Sequence, residues 1–370
     1  MKNIIISIFI VLFVIACTAD GAWDILRYQS DIFLTLGNYD NRIKITMNNS
    51  SQDEDLTNFP VLVILNTSRI TYSDISADGS GIKFISSDFT TELSYEVEEW
   101  NSGGNSFFWV KIPSITALSN SDYFWLYYST ESNSDNTYPE DVWSNNYLAV
   151  WHMNGAGATV SDSGPYGFSG TGGINGQTQP AGSSGKISGS LQFDGTLDGI
   201  TVTPATIFDD IGPVSFSFWM LDEGYSDEDL ILKKGLFVIR LKPSRAIRFR
   251  VTYDNQNLYT EFDDSWTQDI WRAFTITWTG ADGSNKVVNY ADGEDLGNPD
   301  SKQNGKDNRT SNAGEDLIIG SNVDGSDSFK GSIDEMRISD IVRSPAWIKA
   351  QYLSMTDTFL TYGPEENVSN

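Results

Sequence analysis

The stretch Gly331–Met355 reads GSIDEMRISDIVRSPAWIKAQYLSM, a strand running into a short helix. A strand over Ser332–Ile338 sends successive side chains to alternate faces, a period of two. That alternation puts Asp334 in phase with Met336 and Ile338. Asp334 is therefore expected on the core face, where an unpaired carboxylate is costly and must find backbone donors, a cationic side chain or a metal. Ser344-Pro345 then opens a helix over Ala346–Leu353, with proline in the first turn where its missing N–H is harmless. It is the only helix the sequence suggests, so the chain is expected to be all-β.

Working outward, strands dominate. Arg42–Met47 alternates around Ile43, Ile45 and Met47, and Phe59–Leu65 (FPVLVIL) is a continuous β-branched-rich run too short for a helix. Ile82–Ile85, Leu93–Trp100, Phe107–Ile112 and Tyr123–Tyr128 follow, separated by Gly, Asn, Ser and Asp clusters. This spacing predicts a β-sandwich over residues 41–130. The polar stretch STESNSDNTYPEDVWSNN reads as a linker, placed at 131–146. Residues 154–189 are crowded with Gly, Ser and Pro and read as loops. Strands then resume from Leu191 to Ile338, a second sandwich placed at 147–363 with a tail at 364–370. No internal repeat is evident.

The N-terminus reads as an address. Ile4–Ile15 is apolar except for Ser7, after Lys2. A membrane span takes about 20 apolar residues and a signal-peptide apolar region about 7–15, so the run fits export and nothing later fits a span. Val14-Ile15-Ala16-Cys17 resembles the bacterial lipobox, in which the cysteine becomes the lipid-modified first residue. Cys17 is the chain's only cysteine. The resemblance implies a signal peptide at 1–16, a tether at 17–40, and a protein held to a bilayer by its lipid alone. In a host with two membranes, Thr18 after the cysteine implies outer-membrane or surface placement. The alternative is ordinary secretion after Ala19 or Ala22.

Composition excludes much. The 370 residues carry 24 Lys+Arg against 50 Asp+Glu, a formal net charge of −26. Nucleic acid and anionic lipid headgroups need a basic surface and are not expected partners. With 16 Tyr, 20 Phe and 11 Trp the chain can pack cores. One Cys and one His assemble neither a disulfide nor a Cys/His zinc site.

Residues 147–363 resemble the bacterial laminin-G-like, concanavalin A-like jelly roll. The resemblance rests on YLAVWHMNG at 147–155, VSDSGPYGFSGTGG at 160–173, GKISGSLQFDGTLDGITV at 185–202, and the opening stretch at 331–355. Residues 41–130 resemble an uncharacterised β-domain that precedes such jelly rolls in bacterial surface proteins, through NFPVLVIL, DGSGIKF, TELSYEVEEWN, FFWVKIP and DYFWLYY. The fold implied is two tandem β-sandwiches, the second a jelly roll. Lectins, adhesins, hydrolases and lyases all use it, so architecture is implied more firmly than activity.

Candidate chemistry is sparse. His152 is the only imidazole available to a triad, and no G-x-S-x-G turn accompanies it, so a structural role is expected. Glu96 and Glu98 share one strand face with Trp100, a pair that glycosidases use. Laminarinase-type relatives alternate three acids, however, and here the third place holds Trp100; a solvated strand face is expected. Asp334 and, by resemblance, Asp194 in FDG are candidate ligands of a structural calcium, since oxygen donors dominate. Trp219, Arg248 and Arg250 fall on the polar sides of strands whose other sides are apolar. They are expected to project together as a sugar-binding face, the indole stacking on a ring and the guanidinium groups taking acidic sugars.

The sequence thus describes an exported, lipid-anchored surface protein with a non-catalytic jelly roll that binds polysaccharide or another surface glycan. A glycan hydrolase or lyase on the same fold is the first alternative. An envelope component docking a partner protein through residues 41–130 is the second.

Overall fold

The computed structural model describes Leu36 and residues 39–132, 138–176, 178–203, 206–224, 227–263, 266–311 and 313–368. Cys17 and the apolar leader lie outside the described residues. Among these residues no helix is long and apolar enough to cross a membrane. The chain is nearly all-β, as expected.

The first sandwich joins a four-stranded and a three-stranded sheet. Asn41–Met47 lies at the heart of the four-stranded sheet, antiparallel to Tyr123–Tyr128 on one side. Its alternation is visible in burial: Ile43, Ile45 and Met47 are inside. The three-stranded sheet runs Leu56–Leu65, Ser106–Ile115, Tyr95–Glu99. Val61, Leu62, Val63, Ile64 and Leu65 are all buried, so both faces of this sheet are covered. That explains the unbroken apolar run: one face meets the four-stranded sheet, the other meets the second sandwich.

One edge strand of the four-stranded sheet comes from the far end of the chain. Leu360–Asn367 pairs with Asn41–Met47, and Arg42 bridges to Glu366 at 2.7 Å. Residues 364–367 of the expected tail are therefore paired strand. The expected linker also differs from a free connection. Pro139–Val142 forms one short helical turn, and Val142 and Trp143 are completely buried. Their apolar bulk outweighs the polar composition around them.

The second sandwich is a jelly roll of an eight-stranded and a nine-stranded sheet. In the eight-stranded sheet, Lys330–Ser339 lies beside Val214–Asp222 and also pairs with Tyr147–Trp151. Arg272–Trp278 continues the sheet. Between the sheets lie Phe216, Phe218, Phe237, Phe249, Trp278, Ile333, Met336 and Ile338.

A bulge interrupts the opening stretch. Ser217 faces Arg337, but Trp219 faces Asp334, so Glu335 and Met336 together oppose Phe218. Glu335 takes φ +52°, a left-handed conformation uncommon outside glycine. The extra residue changes the phase. Ile333, Met336 and Ile338 point into the jelly-roll core, whereas Asp334 sits opposite Trp219 on the other face. The expectation that Asp334 shares the phase of Met336 fails for this reason, although the side chain is fully buried.

That other face is covered. Trp219 and Ala273 from the eight-stranded sheet, with Trp347, Ala350 and Met355 from the helix Pro345–Met355, join Phe59, Val61 and Val63 in one apolar cluster. Phe59 and Trp347 meet edge to face at 4.7 Å, and the Ser354 hydroxyl accepts from the Leu62 backbone N–H at 2.8 Å. The two sandwiches share a continuous seam.

Candidate functional site

The seam encloses a group of charged side chains drawn from both sandwiches. Tyr95–Glu99 carries Glu96 and Glu98 across it, helped by a bulge between Val97 and Glu99. His152 follows the end of Tyr147–Trp151. The bulge in Lys330–Ser339 delivers Glu335, and Arg337 projects beside it. Trp109 and Trp143 wall the group from the first sandwich and the short helical turn.

The contacts are dense. Glu96 Oε2 accepts from the Trp143 indole at 2.7 Å and lies 3.2 Å from His152 Nε2, while Glu96 Oε1 accepts from the Ser163 hydroxyl at 2.5 Å. His152 Nδ1 lies 2.6 Å from Glu335 Oε1 and 3.5 Å from Glu98 Oε2. The Trp109 indole donates to Glu98 Oε2 at 2.7 Å. Arg337 pairs with Glu335 Oε2 and lies over the Trp109 and Trp143 rings at 4.3 and 4.5 Å. The His152 ring is stacked parallel to Trp109, centroids 6.2 Å apart.

Burial sets the electrostatics. Although burial opposes it, the three surrounding glutamates hold His152 well above its ordinary range, so the imidazole favours its cationic form. Burial likewise opposes ionisation of Glu96 and Glu335, but His152 lowers both, joined by Arg337 at Glu335. Burial and then the Glu335 charge push Glu98 up to about 8. Asp334 is raised well above the usual carboxylate range by burial and again by Glu335. Its Oδ2 accepts from the backbone N–H groups of Lys186 and Ile187 at 2.8 and 2.9 Å. His152 and Arg337 thus face Glu96 and Glu335, which are held toward the ionised form, while Glu98 and Asp334 are pushed toward the protonated one.

The residues singled out from sequence fall elsewhere or play other parts. Glu96 and Glu98 are not on a solvated face; both carboxylates are inside the seam. Trp100 leaves them to pack on Tyr72 and Phe108. Asp194 pairs across the sheet with Lys330, four positions from Asp334, about 13 Å along a strand. It accepts from the Thr196 N–H at 2.7 Å in its own turn. Asp194 and Asp334 therefore cannot share one calcium ion. Trp219 is only 2% exposed, beneath the Pro345–Met355 helix, and offers no stacking platform. Arg248 and Arg250 alternate with buried Ile247, Phe249 and Val251 as expected, but on Ala246–Val251 of the nine-stranded sheet. They lie on the opposite side of the jelly roll from Trp219, so the three do not form one surface. Arg248 is also engaged, 2.7 Å from Glu261 through Nε and 5.0 Å over the Tyr259 ring.

What the sequence reading missed was the meeting of Glu96, Glu98, His152 and Glu335. The only local signal was two alternating glutamates in a strand that also carries Tyr95 and Trp100. Nothing local linked them to residues some 50 and 240 positions later.

The outer face of the nine-stranded sheet is only partly covered: Ile174 packs over Leu232, Val238 and Ile318, and a cleft lies beside them. There Gly170–Gly172, Ile200–Val202 and Leu317–Ile319 form the floor of a cleft of about 410 Å³. Thr171, Thr201, Thr203, Glu315 and Asp316 give it polar walls, and half-buried Val323 an apolar edge above buried Ile174 and Ile318. The Thr203 hydroxyl donates to Asp316 at 2.6 Å.

Two family models agree with this architecture. Residues 194–349 match the family model described as the concanavalin A-like lectin/glucanases superfamily, and residues 78–147 match a domain of unknown function, DUF2341. No curated protein matches the chain. Among solved structures, domain 4 of AbnA, an extracellular arabinanase from Geobacillus stearothermophilus, in complex with arabinotriose, is 19% identical. The match covers 55% of this chain and 97% of that one at a TM-score of 0.39. The binding domain of Paraclostridial Mosquitocidal Protein 1 is 16% identical over 57% of this chain and 52% of its own, at 0.42. The binding domain of botulinum neurotoxin serotype G is 15% identical over 56% and 50%, at 0.43. The chain thus spans about half the length of these toxin domains. The chain carries a DUF2341 domain followed by a concanavalin A-like domain of the lectin and glucanase superfamily.

Proposed function

We propose that this chain is an exported, lipid-anchored surface protein whose jelly roll captures a neutral glycan without cleaving it. The observation that carries the reading is the inequality of the two sheets. The first sandwich covers the eight-stranded sheet, while the nine-stranded sheet keeps an open cleft of about 410 Å³. Threonine hydroxyls and carboxylates in that cleft suit the paired donors and acceptors of sugar hydroxyls, and half-buried Val323 suits the C–H face of a ring. The acid-rich walls and the net charge of −26 disfavour sulfated or uronic ligands. Against catalysis, the only histidine is 6% exposed within the seam. Asp316 accepts from the Thr203 hydroxyl at 2.6 Å, and Glu315 lies near Lys234, 3.5 Å away. Anchoring rests on the leader and Cys17 alone.

The test is a glycan array with and without calcium, using the wild type and Thr201→Arg. Thr201 is flanked by buried Ile200 and Val202, so an arginine there fills the cleft and leaves the core intact. Binding of neutral glycans that falls more than tenfold in Thr201→Arg is expected. Release of new reducing ends would make the protein a hydrolase. A wild type that binds no glycan but co-purifies with envelope proteins would favour an assembly role.

A further inference from the structure

We propose that Glu98, His152 and Glu335 bind one divalent transition-metal ion, zinc by the character of the donors, in the seam between the two sandwiches. The donor atoms of these three residues lie within 4.8 Å of one another, which one ion can span. They come from both sandwiches, so an ion here would tie the domains together.

The hydrogen bonds around His152 give the ring a direction. Glu96 accepts from the Trp143 indole and the Ser163 hydroxyl, so it is a fixed acceptor, and the ring N–H belongs on Nε2, which faces it at 3.2 Å. An ion would take the place of the Nδ1 proton, and the Nδ1 lone pair would then face Glu335 at 2.6 Å and Glu98 at 3.5 Å. A divalent ion among these three groups would displace the protons that they hold in its absence, so binding should release protons. A carboxylate that holds the far N–H of a histidine is also the usual support of a metal-bound imidazole.

A second observation separates a metal from a proton. Glu98 Oε1 has no hydrogen-bond partner, although the side chain is wholly buried. A proton shared between Nδ1 and Glu335 leaves that oxygen orphaned, a costly state in a dry seam. An ion bound by Glu98 through one or both oxygens satisfies it. One imidazole nitrogen with carboxylate oxygens suits zinc better than calcium, which takes six to eight oxygens. Arg337, on the far oxygen of Glu335, and the two tryptophans wall the group.

The experiment uses the mature full chain, unfolded and refolded with zinc, manganese or calcium so that access to the seam is not limiting. After exhaustive dialysis the bound ion is counted, and a cobalt(II)-loaded sample is read by its visible absorption. One equivalent of zinc is expected in the wild type. Glu98→Gln, which keeps shape and removes charge, should weaken zinc about 100-fold and alter the cobalt spectrum. Glu96→Gln, a positioning change, should weaken it about 10–100-fold with the stoichiometry unchanged. Asp194→Asn should retain the full equivalent. A refolded wild type that keeps no ion overturns the proposal. So does calcium in place of zinc, or a Glu98→Gln variant that binds zinc as tightly as the wild type.

Discussion

Trp219 stacks on Tyr352 with ring centroids 5.8 Å apart and planes at 27°, and its indole N–H points at Met355 Sδ, 3.2 Å away. Lys186 adds a cation 4.9 Å above the same indole. An indole that strand alternation puts on a polar side is therefore roofed by the helix Pro345–Met355 and sealed into the seam. Trp219→Ala should cost about 3–5 kcal/mol of stability, as core truncations of large aromatics do. Denaturant unfolding measures it. A change below about 1 kcal/mol would mean that the seam does not depend on this residue.

Removing residues 360–370 should damage the first sandwich, far away in sequence. The deletion removes the partner strand of Asn41–Met47 and the Glu365 carboxylate that accepts from Tyr128 at 2.5 Å. Amide exchange should lose protection in 41–47 while the strands at 214–222 and 272–278 stay protected. Equal protection of Asn41–Met47 in the truncated and full chains would contradict the pairing.

Asp198 should make stability depend on pH. It is 2% exposed, accepts from the Asp194 N–H at 2.7 Å through Oδ2, and has no partner at Oδ1. Burial pushes its carboxyl from 3.8 up to about 6. The folded state then holds the proton more tightly than the unfolded state. The associated stability is fully present below pH 3.8 and is lost as pH rises through about 6. Asp198→Asn removes that dependence. The melting temperature of the variant should gain on the wild type between pH 4 and pH 7, and a gap constant over that range would refute the assignment.

Cys17→Ser should release the protein from membranes. The motivation is a sole cysteine directly after an apolar leader of signal-peptide length. Detergent-phase partitioning of wild type and variant is the measurement. A variant that still enters the detergent phase would remove the lipid anchor from the account.

Much of the fold was legible because strand alternation is a local property. Ile43, Ile45 and Met47, and likewise Phe216, Phe218 and Met220, are inside because every second side chain of a strand shares a face. The helix over 346–353 was equally local: Ser344 caps it, its hydroxyl accepting from the Trp347 N–H, with Pro345 in the first turn. Composition and alternation also distinguished the continuously buried strand at 59–65 from its half-buried neighbours.

The sequence by itself therefore determined the β character, the two sandwiches and the identity of each strand's apolar face. Only the tertiary structure decided what covers the other faces, because that depends on contacts between residues far apart in the chain. Packing of the first sandwich on the eight-stranded sheet turned Trp219 from a surface indole into a seam residue. A single inserted residue at Glu335, held at φ +52°, reversed the phase on which the placement of Asp334 relied. Period two carries no memory of such a slip, since a one-residue shift sends every following side chain to the opposite face. The seam group of Glu96, Glu98, His152 and Glu335 exists only because two bulged strands from different sandwiches meet there.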